Sequence, residues 1–79
     1  MKLVKACAKR IKEIIAEKNL NQYKLYKCSG VPQSTISTVL KGEIKTITIH
    51  TIYDICASLN IELKDFFDCD YLSLKNIED

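Results

Sequence analysis

The sequence predicts an all-α domain of five short helices, and three observations carry that expectation. Apolar residues recur at three- and four-residue intervals, beginning with Leu3, Val4, Cys7, Ala8, Ile11, Ile14 and Ile15. The runs are separated by helix punctuation: Asn19, Gly30, Gly42 and Asn60 suit helix ends, and Asn21 and Thr48 suit helix starts. The chain has 79 residues, 47% of them hydrophobic, with one Pro and two Gly, which bounds it to one domain with an economical core.

The elements follow in order. The first helix is expected over residues 3–18, with Lys5, Lys9, Arg10 and Lys12 largely on its outer side. Leu20 is expected to plug back into the core. Asn21 then caps a second helix from Gln22 to Cys28 or Ser29, whose best core residue is Leu25. Gly30 supplies a positive φ for a tight turn, Val31 anchors the turn from inside, and Pro32 fits the first turn of a third helix. That helix runs to Lys41 and stops at Gly42. Residues 43–47 form a loop. Thr48 caps a fourth helix with the stripe Ile49, Ile52, Ile55, Cys56 and Leu59, and Asn60 ends it. A fifth helix over residues 62–68 offers Leu63, Phe66 and Phe67 to close the core. The domain is thus expected to span residues 1–68. In the tail, 69–79, Tyr71, Leu72, Leu74 and Ile77 make one more apolar turn, meet a partner subunit, or fray.

The third helix is where chemistry concentrates. Gln33, Ser34, Ser37, Thr38 and Lys41 share one face, while Ile36, Val39 and Leu40 back it. A short helix with amides and hydroxyls in front and apolar residues behind suits a DNA major groove. Charge agrees. Residues 1–45 hold ten Lys/Arg against three acids, a net +7; residues 46–79 hold two against seven, a net −5. The basic half contains the polar helix, the sign expected of a surface facing a polyanion.

Other classes are excluded by what the chain carries. Cys7, Cys28, Cys56 and Cys69 form no C-x-x-C pair, and only His50 could join them, so no metal site is expected. Without a secretory signal they are expected to remain thiols in a reducing cytoplasm. No apolar run reaches the roughly 20 residues of a membrane span. Asp54, Glu62, Asp65 and Asp68 read as a solvated acidic face, and no nucleophile–base arrangement or phosphate loop exists, so an enzyme is not expected and no cofactor is needed. His50 falls on the outer face of the fourth helix.

The run Leu20-Asn21-Gln22, Leu25, Gly30-Val31-Pro32-Gln33-Ser34-Thr35-Ile36-Ser37 and Gly42, followed by Ile52 to Ile61 and Phe66-Phe67, resembles the lambda-repressor-like (Cro/XRE-type) helix-turn-helix family. The resemblance covers about residues 8–68. It implies a compact five-helix fold with the motif at helices two and three. It implies that Gln33, Ser34, Ser37 and Thr38 read bases, and that Asn21, Gln22, Lys41, Lys45 and Thr46 hold the sugar–phosphate backbone, with Gln22 also bracing Gln33. Three positions depart from the family's pattern. Ile15 and Leu40 stand where many members carry an Arg–Glu pair, so an apolar contact is expected there. Tyr26 stands where a small residue is usual and must point outward or splay the helices. Pro32 replaces a common Ser or Thr and forfeits a phosphate contact.

The residues themselves supply the chemical reasons. A Gln amide can give one hydrogen bond and accept another, which matches adenine N6 and N7; hydroxyls discriminate less, and lysines hold phosphate without reading sequence. The base-reading row has no Arg for a bidentate guanine contact. Modest affinity per subunit is therefore expected, and a homodimer with recognition helices roughly 34 Å apart would raise it. The expected function is a sequence-specific double-stranded DNA-binding transcriptional regulator, a repressor. Two alternatives are an antitoxin whose tail binds a small protein partner, and a protein-interaction module on the same scaffold.

Overall fold

The computed structural model describes residues Met1–Asp79. It contains five α-helices: α1 (Leu3–Glu17), α2 (Gln22–Ser29), α3 (Gln33–Lys41), α4 (Ile49–Ser58) and α5 (Leu63–Phe66). Two 3₁₀ turns, Asp70–Leu72 and Leu74–Asn76, complete the chain. There are no strands, so the all-α, five-helix expectation holds. The helix ends follow their local chemistry. Asn19 and Asn60 adopt positive φ (55° and 57°), as do Gly30 and Gly42 (74° and 68°). Asn21 Oδ1 accepts from the Lys24 amide at 2.8 Å, and Thr48 Oγ1 from the Thr51 amide at 3.1 Å.

The core joins one nearly fully buried side chain from each helix: Ile11, Leu25, Ile36, Ile55 and Phe66. Cys7, Val31, Val39, Ile52 and Cys56 fill the spaces between them, and no polar or charged residue is buried. Burial pushes the Cys7 and Cys56 thiols up from their ordinary value, so both behave as small apolar fillers. Leu20 packs against this cluster from the α1–α2 turn, as expected. Ile15 is buried and Leu40 packs on the core, which leaves no charge stranded where family members often carry a pair. Tyr26 is half-buried, with its ring 6.1 Å from that of Tyr23, and α2 and α3 remain packed together.

Several expectations need correction. Pro32 is the residue before α3 and not part of its first turn; its carbonyl accepts from Ile36 at 3.0 Å. α5 is a single turn, because Glu62 precedes it and Phe67 ends it. Phe66 is fully buried, but Phe67, turned about 100° further around the axis, is exposed. Ile49 is 62% exposed although it lies near Ile52 and Cys56 around the helix: it is the first residue of α4, beyond the end of the packed core. Leu3 is also exposed, in the first turn of α1 at the edge of the core.

The tail lies along α1. Leu72 packs on the core, and the Tyr71 hydroxyl donates to Glu13. The Lys9 ammonium sits 4.5 Å from the Tyr71 ring centre. Partial burial first, then the bond to Glu13, raises the Tyr71 pKa and keeps the phenol protonated. Asn76 O accepts from the Met1 amine at 3.1 Å, and Asp79 Oδ1 from the Leu3 amide at 2.9 Å.

Arg10 ties α1 to α5. Its Nε and a terminal nitrogen donate to the Phe66 and Asp65 carbonyls, both at 2.8 Å. These are end-of-helix carbonyls with no partner in their own helix. Replacing Arg10 with Ala is expected to destabilise the fold by about 1.5–3 kcal/mol in urea titration, the range for hydrogen bonds from a charged donor. Arg10→Lys should recover little, since an ammonium cannot span two carbonyls as the guanidinium fork does. Asn21→Ala should cost about 1 kcal/mol by loss of the α2 cap, while Asn21→Ser should stay close to the parent. An alanine variant as stable as the parent would show that the cap adds nothing.

Candidate nucleic-acid interface

α3 has nine residues and therefore rises about 13 Å, enough to lie in a groove and present a few side chains. Its buried face is Ile36 and Val39, which fixes its rotation about its own axis. Gln33, Ser34, Thr38 and Lys41 are consequently exposed, and Ser37 is half-buried at the edge of the same face. The expected polar row is thus brought together on one helix, and the protein's own chain does not cover it.

Within that row Thr38 differs from its neighbours. Its hydroxyl donates to the carbonyls of Thr35 at 3.0 Å and Ser34 at 3.2 Å. The proton is committed inward, so the oxygen faces out as an acceptor beside the side-chain methyl. Such a pair suits a base amino group or a thymine methyl. Gln33, Ser34 and Ser37 spend no side-chain hydrogen bond on the protein. The brace expected between Gln22 and Gln33 is not formed: neither amide is hydrogen-bonded to the other.

The flanking positions are set by the ends of the helices. Gly42 closes α3 with positive φ, and the Glu43 amide reaches back to the Thr38 carbonyl at 3.2 Å. Lys5 supports this end: its Nζ donates to the Lys41 carbonyl at 3.5 Å, and its stem fills the space beside Gly42. In the following loop Ile44 and Ile47 pack on the core, which leaves Lys45 and Thr46 exposed between them. That in–out–out–in pattern is present in the sequence EIKTI, but its apolar members carry meaning only once a core exists beneath them. At the other side of the motif, Asn21 is exposed and Gln22 half-buried at the start of α2. One oxygen of Asn21 is committed to the cap, so only its NH₂ is free to meet a phosphate.

Electrostatics favour an anion here. Neither α2 nor α3 has an acidic residue in its first turn, so the positive end of each helix dipole is uncompensated. The one close contact between a basic side chain and a carboxylate is His50 with Asp54, hydrogen-bonded at 3.2 Å on the exposed face of α4. No lysine or arginine is therefore neutralised by a carboxylate. The chief neighbours of α3 are α1 and α2, whereas the acid-bearing α5 packs on α4 and the first 3₁₀ turn on α1. α5 and the first 3₁₀ turn are thus not principal neighbours of α3, and Glu43 is the one acid adjoining the end of the polar row.

No curated protein and no solved structure matches the chain. A family model does, described as the Cro/C1-type HTH DNA-binding domain, over residues 10–74. The match takes in all of α2 to α5 and extends past residue 68 through the first 3₁₀ turn. With the helix-turn-helix in place, its polar face bare and its surroundings basic, the chain belongs to the Cro/C1-type HTH DNA-binding domain family.

Proposed function

We propose that this domain is a sequence-specific regulator of transcription that reads the major groove of double-stranded DNA with α3. The observation that carries this reading is the row of exposed Gln33, Ser34 and Thr38 with half-buried Ser37, on a helix whose rotation is fixed by Ile36 and Val39. Gln33 is the residue best suited to adenine, and the three hydroxyl residues refine the choice at neighbouring pairs. Asn21 and Gln22 on one side, and Lys41, Lys45 and Thr46 on the other, hold phosphates and set the register. Repression, by occupying DNA that the transcription machinery needs, is the mode of action included in this proposal.

The reading includes a homodimer. Ile49, Tyr53 and Ala57 form an exposed stripe along α4, with Ile49 62% and Tyr53 53% exposed. The groove beside them contains Ile61 and Leu63, with Glu62 and Lys64 at its rim. Apolar residues with one charge of each sign at the edge suit a self-complementary contact about a two-fold axis. Pairing two copies offsets the modest affinity of a reading face without Arg.

Gln33→Ala and Ser34→Ala together are expected to weaken binding to the preferred duplex by about 1–3 kcal/mol and to relax its sequence preference. Unchanged affinity for the preferred site in a titration would remove α3 as the reading element. Lys45→Ala should weaken all sequences alike and lower the salt slope by about 0.9. Tyr53→Glu should shift sedimentation equilibrium to the monomer while leaving the melting temperature nearly unchanged. A variant that stays dimeric would exclude the α4 face. Absence of salt-dependent DNA binding at low ionic strength would favour a protein-interaction module instead.

A further inference from the structure

A cleft of about 520 Å³ lies between α1 and the end of α3. Lys5, Lys9 and Lys12 from α1 and Lys41 from α3 line it. Its floor is small and apolar: Ala8, Ala16 and Leu40. Glu13 is its one acid, and that carboxylate already accepts the Tyr71 hydroxyl. Four ammonium groups around one cleft, none with a carboxylate partner, repel one another. Folding does not need this arrangement, since only Lys5 makes a hydrogen bond, to the end of α3. Tyr71 adds a second sign of organisation, because its ring lies beneath the Lys9 ammonium at 4.5 Å and holds it at the rim.

We infer that this cleft is an additional binding site for the DNA sugar–phosphate strand that runs beside α3. The inference rests on the major-groove reading above. A helix with its side chains is about 10–12 Å across and the groove about 12 Å wide, so a backbone lies against each flank of an inserted helix. Leu40 marks one flank, between the buried Ile36 and the outward Gln33 and Ser37. α1 rises on that flank and carries Lys9 and Lys12, both exposed. Lys41 belongs to the cleft and to the polar row at once, so the two surfaces are continuous. The phosphates meet the ammonium groups, and the apolar deoxyribose faces meet the alanine and leucine methyls. Lys5 holds the end of α3, while Lys9 and Lys12 contact phosphate.

The test compares two double variants of equal charge change on specific and random-sequence duplexes across a salt series. Lys9→Ala with Lys12→Ala is expected to reduce the slope of log K against log salt by about 1.8, or 0.9 per phosphate lost, on both duplexes. Lys64→Ala with Lys75→Ala, in the acidic half, should leave the slope unchanged. Glu13→Gln should act in the opposite direction and tighten binding to both. Lys9 and Glu13 both contact Tyr71, so thermal melts establish that each variant is folded. Equal slope changes from the two doubles would reduce the effect to net charge and overturn the inference. An unchanged slope in the cleft double, alongside a reduced slope in Lys45→Ala, would overturn it while leaving α3 reading intact. If poly-glutamate then binds the parent and not the cleft double, the site belongs to an acidic protein. Loss of sequence preference in Gln33→Ala and Ser34→Ala with no cleft effect would likewise separate the two claims.

Discussion

Everything in this fold depends on one apolar junction, where Ile11, Leu25, Ile36, Ile55 and Phe66 meet. Each helix contributes one member. Four of the five helices have at most ten residues, and helices of that length are marginal in water without tertiary packing. Burying a side chain of this size is worth roughly 1.5–3 kcal/mol, and each such residue stabilises its own helix and its neighbours together. The junction contains no polar atom, so no hydrogen-bond partner has to be found inside. Its directionality comes from shape and from the short connections, each of which turns the chain at a residue tolerant of positive φ.

The interface follows from that junction. Ile36 and Val39 commit one face of α3 to the core, which determines the opposite face without any further interaction. Rigidity matters here, because a helix free to roll would present different side chains to the same base edges. Gly42, the Glu43 amide and Lys5 hold the far end, and Ile44 and Ile47 hold the loop beyond it. Lys45 and Thr46 gain a defined position from two apolar neighbours packed on the core.

Charge is divided between two uses. Arg10 is spent on structure, its fork closing two carbonyls at the end of α5. The lysines are left without carboxylate partners, and in water such charges cost little until a polyanion arrives and its counterions are released. Most acidic residues lie after residue 53, on α4, α5, their connections and the tail; α4 packs chiefly on α2, α5 on α4, and the first 3₁₀ turn on α1. The molecule thereby has an oriented field, which under the proposed reading favours approach to DNA through the α3 side.

Local chemistry made much of this legible in the sequence. The limits of α1, α2, α3 and α4, the caps at Asn21 and Thr48, and the left-handed ends at Asn19, Gly30, Gly42 and Asn60 each depend on a few adjacent residues. The polar row of α3 was readable for the same reason, since helical spacing alone aligns it. Periodicity states the angle of a side chain but not whether another element covers it. Ile49, Leu3 and Phe67 fit apolar patterns and still face outward, because no helix packs over them. Arg10 and Lys5 looked like solvated charges, yet each closes a helix end contributed by distant sequence. The path of residues 69–79 was open as well, and the Tyr71–Glu13 bond spans 58 positions of chain. The sequence by itself determined which segments are helical and which face of each is apolar. Only tertiary structure decided which faces are covered, which charges are consumed and where the tail lies, because those outcomes depend on contacts between residues far apart in the chain.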